Sequence, residues 1–154
     1  MKTPKPIDKK RVKVKKGLNG LGLFAEDLIK NKEWIIEYVG KKLTEKQSAD
    51  LTTQYLFEVN KKITLDGSIR TNTARYINYS CEPNAEAWNV NDRIFIRAIR
   101  EIKKGEEITY DYGIEFYDKF IKPKGCRCGS KTCKSNLVNR NPDVKSGPRT
   151  KLRG

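Results

Sequence analysis

The chain has 154 residues, 36% hydrophobic and 34% charged, with a formal charge of +14, enough for one domain with a modest core and too little for two. It contains no histidine, which excludes histidine acid–base chemistry and a histidine-ligated catalytic zinc. No run approaches membrane-spanning length and no apolar signal core follows the basic start, so an intracellular, non-membrane protein with reduced cysteines is expected.

The charge is uneven. Residues 1–16 hold eight Lys/Arg and one Asp, residues 134–154 hold six and one, and the stretch between them carries only +2. Two basic arms on a near-neutral body suit a polyanionic partner such as nucleic acid or chromatin, and equally describe solvated tails.

Short segments dominate the chain order. Residues 11–15 alternate Val12 and Val14 with basic residues, and 34–39 is an apolar run of strand formers; both predict strands. Thr44 followed by Gln47 predicts a capping box opening a short helix over 45–51. Strands follow at 55–59, 63–66, 85–89 and 94–98, with polar turns at 60–62 and 90–93 that predict two hairpins. A helical turn is expected at 73–77 and a last strand at 107–112, after the Lys103-Lys104-Gly105 turn. Without alternating strands and long helices, a parallel doubly wound sheet is not expected. From about Asn136 the apolar pattern ends in a Pro, Gly and Lys/Arg-rich tail.

Cys126, Cys128 and Cys133 form a C-x-C-x4-C cluster, with Gly129 for a tight turn. Cys81 is the only other cysteine and would complete a tetrahedral S4 site for one structural Zn2+. Such a shell has no open position, so chemistry must lie elsewhere. Arg127, Lys131 and Lys134 would partly offset its net negative charge. The competing readings of C-x-C are small buried residues or a redox pair.

Four other segments carry information: the glycine-rich stretch 16–25, Glu37-Tyr38-Val39-Gly40, Arg75-Tyr76-Ile77-Asn78-Tyr79-Ser80-Cys81-Glu82-Pro83-Asn84, and Gly105 through Gly113 with Tyr110-Asp111-Tyr112. The glycine stretch lacks the context and spacing of a dinucleotide fingerprint. In this order, ahead of the cysteine cluster, the segments resemble the SET-domain family of protein lysine methyltransferases over residues 11–137. Residues 75–84 look like the family's R-F-I-N-H-S-C-x-P-N motif, 107–113 like E-L-T-Y-D-Y-G, the glycine stretch like its first S-adenosylmethionine motif, and the cysteines like its post-SET zinc module.

The resemblance implies a mainly β fold, several small sheets around a C-terminal pseudoknot with a zinc-bound post-SET segment. It divides the chain into a basic arm (1–10), a SET domain (11–114), the post-SET segment (115–137) and a basic flexible tail (138–154). It implies cofactor contacts at Asn19, Gly20 and Leu21, largely through backbone, and at Asn78, Tyr55 and Arg127. Tyr79, a further cofactor-binding position, departs from the pattern: the family usually has His there, whose main-chain support of the cofactor Tyr can supply and whose imidazole hydrogen bonds it cannot. Tyr38 and Tyr112, with Phe116 or Tyr117, would surround the target lysine; Tyr112 would be the catalytic residue and Tyr110 the position that limits how many methyl groups are added. The substrate would be a lysine of a histone tail or other basic protein, in the nucleus of a eukaryote or the cytoplasm of a bacterium. A zinc-stabilised nucleic-acid-binding module without catalysis is the alternative from a different class, and a cofactor-binding scaffold inactive through Tyr79 is a third. Lys145 and Lys151 would be self-methylation sites on accessibility alone.

Overall fold

The computed structural model describes residues 2–18, 20–113, 116–126, 128 and 133. Among them the chain is mostly short strands: β1 (Val12–Gly17), β2 (Gly20–Ala25), β3 (Trp34–Tyr38), β4 (Lys41–Thr44), β5 (Leu56–Glu58), β6 (Ile63–Asp66), β7 (Asn78–Tyr79), β8 (Ala85–Val90), β9 (Arg93–Ala98) and β10 (Glu107–Tyr110). The one α-helix among the described residues, α1 (Glu45–Ser48), opens on the expected box: Gln47 N donates to Thr44 Oγ1 at 3.2 Å and Thr44 N to Gln47 Oε1 at 2.9 Å. It stops before Leu51 because it buries none of its own residues, and packing rather than propensity sustains a helix this short.

The two expected hairpins form. In β8–β9, Asn91 and Asp92 have φ of 53° and 61°, the conformation of a two-residue turn that matches strand twist. In β5–β6, Asn60 Oδ1 accepts from Lys62 N and Ile63 N at 2.8 and 2.9 Å. Alternation along β9 sends Ile94, Ile96 and Ala98 into the core and Phe95 to the other face. There Trp34 and Trp88 meet edge to face at 6.1 Å, with the Arg97 guanidinium 4.3 Å over Trp88.

The larger sheet runs β1-β2-β10-β8-β9-β3, with β7 also paired to β10, and the smaller runs β4-β6-β5. The late strand β10 is thus central, antiparallel to β2 and parallel to β7 and β8. Fully buried Asn84 holds it there: its Nδ2 donates to Glu107 O at 2.8 Å and its Oδ1 accepts from Thr109 N at 2.9 Å. This side chain does for β10 what a neighbouring strand's backbone would do.

Four elements escape the sequence pattern: β2 lies inside the glycine-rich stretch, β4 is largely polar, β7 has only two residues, and a π-turn spans Tyr117–Ile121. The last expected strand ends at Tyr110 rather than Tyr112, because Asp111 Oδ1 accepts from Gly113 N at 2.8 Å and turns the chain. The main core comprises Leu23, Ile35, Ile77, Ile94, Ile96, Ile108 and their neighbours; a second cluster, around Tyr79 and Tyr117, packs against Cys81, Tyr112, Phe116, Ile121 and Cys126. No helix among the described residues is long and apolar enough to cross a membrane.

Candidate active site and metal centre

Asn78 stands on β7, paired in parallel with Thr109 of β10. Its Nδ2 donates to Leu21 O at 2.9 Å and to Glu107 Oε1 at 2.8 Å. Both partners are acceptors, so the amide orientation follows from chemistry and Oδ1 is the atom left to face a ligand. The pair crowds β2: a Cβ on Gly22 would lie 2.2 Å from Glu107 Oε1 and 3.1 Å from Asn78 Nδ2, so a larger residue there would displace the Glu107 carboxylate from Asn78.

Beside this pair is an open groove of about 500 Å3, lined by Leu21, Gln54, Tyr55, Arg70, Arg75, Tyr76 and Asn78, in the size range of small-molecule sites. One of its cations is held: the Arg75 guanidinium lies 4.5 Å over the Tyr55 ring, and its Nη1 donates to Ser68 O at 2.5 Å. A cavity of about 80 Å3 shares Gln54, Tyr55, Arg75 and Asn78 with the groove and is walled by Tyr38, Tyr79, Tyr112 and Phe116. A third cavity, about 210 Å3, shares Gln54, Tyr112 and Phe116 with the narrow one and adds Leu56, Phe57, Glu58, Lys119 and Phe120.

The tyrosines at the junction are rigidly placed. Tyr38 Oη donates to Tyr55 O at 2.7 Å, and Tyr112 Oη donates to Ile77 O. Tyr110 and Tyr112, two residues apart, have ring centroids 3.9 Å apart; Phe116 stacks on Tyr112 at 4.2 Å and Phe120 follows Phe116 at 4.9 Å. Tyr110 Oη is buried, and the Tyr112 hydroxyl is the polar group beside it. Burial first, then neighbouring phenols, holds Tyr38 and Tyr110 well above the usual range; burial raises Tyr112, against a lowering contact from Tyr110. None of the three ionises near neutral pH.

The four cysteine sulfurs lie within 4.8 Å of one another. Cys81 Sγ is 3.9 Å from Cys126 Sγ and 3.9 Å from Cys133 Sγ. The edge of a tetrahedron with Zn–S bonds of about 2.3 Å is about 3.8 Å, so the spacing fits the ion. Burial, and after it the adjacent thiols, pushes the Cys126 thiol far up; a bound cation is what would favour thiolates gathered at one point. Cys81 reaches the cluster because β7 places it two residues beyond Tyr79, whose partner is Tyr110 of β10.

The structure brings together Leu21, Tyr55, Asn78, Tyr79, Tyr38, Tyr110, Tyr112 and the four cysteines; Asn19 and Arg127 lie outside the described residues, as do Gly129, Lys131, Lys134, Lys145 and Lys151. Gly20, with φ +85° and open space where a Cβ would be, begins β2. Leu21 gives its carbonyl to Asn78 and leaves its side chain 54% exposed. Sequence reasoning missed Arg75, Glu107, Gln54 and Arg70. The first two sit inside the quoted motifs, where their charge was a signal; nothing local distinguishes Gln54 or Arg70.

Comparison with known proteins adds an independent line. The family described as "SET domain" matches residues 20–113. The chain is 37% identical over 132 residues to "Histone-lysine N-methyltransferase trithorax" of Drosophila virilis, covering 78% of this chain and 3% of that protein. It is 35% identical over 150 residues to "Histone-lysine N-methyltransferase ASHH3" of Arabidopsis thaliana, covering 86% and 40%. It is 38% identical over 133 residues to "Histone-lysine N-methyltransferase set-2" of Caenorhabditis elegans, covering 78% and 9%. The chain therefore spans less than half the length of each of these relatives.

Proposed function

The chain belongs to the SET-domain family, and on that premise we propose that it is an S-adenosylmethionine-dependent protein lysine N-methyltransferase that adds one or two methyl groups to a histone or another basic protein. The observation that carries the reading is the narrow tyrosine-walled passage that shares residues with the polar groove at Asn78 on one side and with the aromatic groove at Phe120 on the other. A ligand at Asn78 and a lysine from the aromatic groove meet only there.

S-adenosylmethionine, when bound, supplies an electrophilic methyl group on a sulfonium. Asn78 Oδ1 accepts from a ligand amine, while Arg70 and Arg75 suit a carboxylate; Leu21, Tyr55 and Tyr79 complete the wall, with Asn19, Gly20 and Arg127 assigned by family resemblance. Tyr38, Tyr112 and Phe116 exclude water from the target amine, and that desolvation favours its neutral, nucleophilic form. Because the phenols stay protonated, no tyrosinate takes the amine's proton, which leaves to water before the amine enters the passage. Cys81, Cys126, Cys128 and Cys133 hold one structural Zn2+.

Tyr110 limits the product. Its hydroxyl occupies buried space against Tyr112, where an extra methyl on the amine needs room. Tyr110→Phe is expected to shift intact product masses from one or two added methyl groups towards three; unchanged masses would remove this assignment.

The substrate class rests on the relatives' names and on site chemistry: Glu58 and Asp111 line the aromatic groove against a single Lys119, a net negative lining that suits a basic peptide. The N-terminal segment supports an additional polyanion contact at chromatin. Pro4 is buried and Ile7 N donates to Trp34 O at 2.9 Å, so the segment is docked on the fold, while Lys2, Lys5, Lys9, Lys10, Lys13 and Lys16 are exposed and outside the ion pairs among the described residues. Labelled methyl transfer to a panel of histones, bacterial basic proteins and ribosomal proteins tests the activity and the substrate together. Transfer to histones is expected; cofactor binding with no transfer to any member would leave a scaffold, and salt-sensitive DNA binding with neither would leave a nucleic-acid module.

A further inference from the structure

Tyr79 stands at the seam between the cysteines and the passage. Its ring is 5% exposed, stacked at 6.5 Å on Tyr112 and tilted at 5.6 Å against Tyr117 of the π-turn. Its backbone is fixed by the parallel pairing with Tyr110, next to the bond from Ser80 N to Tyr110 O at 3.4 Å. Its hydroxyl oxygen ends 3.7 Å from Cys81 Sγ. Phenylalanine would make the same ring contacts, so the packing does not by itself explain the hydroxyl.

We propose that Tyr79 is a positioning residue for the metal centre: its hydroxyl donates a hydrogen bond to the Cys81 thiolate, holding that ligand at the metal while its ring holds Tyr112. The inference rests on the zinc reading above. The direction of the bond follows from the donor inventory. A thiolate bound to a metal has lone pairs and no proton, so of the two groups only the phenol can donate. Four thiolates on a dication carry a net charge of −2, and a hydrogen bond to sulfur draws part of that charge off the ligand. Cys81 is the ligand that most needs such a hold. The other three lie within eight residues of one another, whereas Cys81 comes from 45 residues upstream of Cys126 and is brought in by β7. A chain without histidine has no imidazole N–H to offer at this point, and the phenol supplies the donor instead.

The test uses the full chain loaded with cobalt(II) in place of zinc, because the sulfur-to-cobalt charge-transfer band reports electron density on the thiolates. In Tyr79→Phe the band is expected at longer wavelength, since a sulfur without its hydrogen bond is the better electron donor. Transfer of zinc to a chromophoric chelator is expected to be faster by about tenfold, the lower range for losing a partner of a metal ligand. A band and a release rate both equal to wild type would overturn the proposal. Replacing Tyr79 with 3-fluorotyrosine keeps the ring and strengthens the donor, so the band should move to shorter wavelength; if the phenylalanine variant does not fold, an unmoved band here overturns the proposal alone. Wild-type protein that takes up no cobalt(II) would instead overturn the metal centre on which the proposal rests.

Discussion

Replacing Tyr112 by phenylalanine is expected to lower kcat by roughly two to three orders of magnitude, the range seen when one preorganised polar group at a reaction centre is deleted. The ring is held on three sides, by Tyr110 at 3.9 Å, Phe116 at 4.2 Å and Tyr79 at 6.5 Å, so the variant keeps the shape of the passage. What it loses is the hydroxyl that meets the Ile77 carbonyl, at the junction of the groove beside Asn78 and the groove beside Phe120. In the proposed reaction the oxygen lone pairs there would face a methyl group with partial positive charge. Their removal raises the barrier without touching the groove at Asn78, so cofactor affinity and metal content should stay at wild-type values while single-turnover methyl transfer collapses. Transfer at the wild-type rate would reassign the catalytic hydroxyl.

Stripping the metal should abolish cofactor binding while the main core is still folded. The two packed clusters share Tyr112 and no other residue. The main one, with Leu23, Ile94, Ile96 and Ile108, includes no cysteine, whereas the smaller one joins Tyr79 and Tyr117 to Cys81, Cys126, Tyr112 and Phe116. Binding of a structural Zn2+ contributes on the order of 10 kcal/mol to the fold of the segments it ties, far more than two buried aromatic rings supply. Without it the π-turn Tyr117–Ile121 has little to pack on, and Phe116 and Ile121, both walls of the passage, go with it. Titrating a chelator while following S-adenosylmethionine binding and far-ultraviolet circular dichroism separates the two events. Binding should vanish first, and simultaneous loss of both signals would contradict the separation.

Legibility in the sequence followed the range of the interactions involved. The strands β3, β6, β8 and β9 and both hairpins could be read because Ile94 and Ile96 alternate with Phe95 and Arg97, and because Asn60, Asn91 and Asp92 carry turn chemistry in their own side chains and backbones. The cap of α1 was legible for the same local reason. β2 was not: its glycines are poor strand formers, and Gly22 is there because Asn78 and Glu107 crowd it from elsewhere in the chain. The two-residue β7 has no pattern to read at all, existing only as a partner for β10.

The site divides along the same line. Sequence alone determined the cysteine set, since C-x-C-x4-C brings three sulfurs together over a few bonds and one cysteine remained, and the ordered motifs determined the family. Tertiary structure decided how those pieces meet. Asn84, within the same motif as Asn78, clamps β10 from both Glu107 and Thr109; that clamp is what sets Tyr110 opposite Tyr79 and brings the Asn78 amide to Glu107. Arg75 and Gln54 became groove residues for the same reason, through contacts between residues far apart in the chain. Spacing along a chain fixes which atoms can meet over short loops, but which of two distant carboxamides binds backbone and which faces a ligand depends on packing, and no local pattern encodes that.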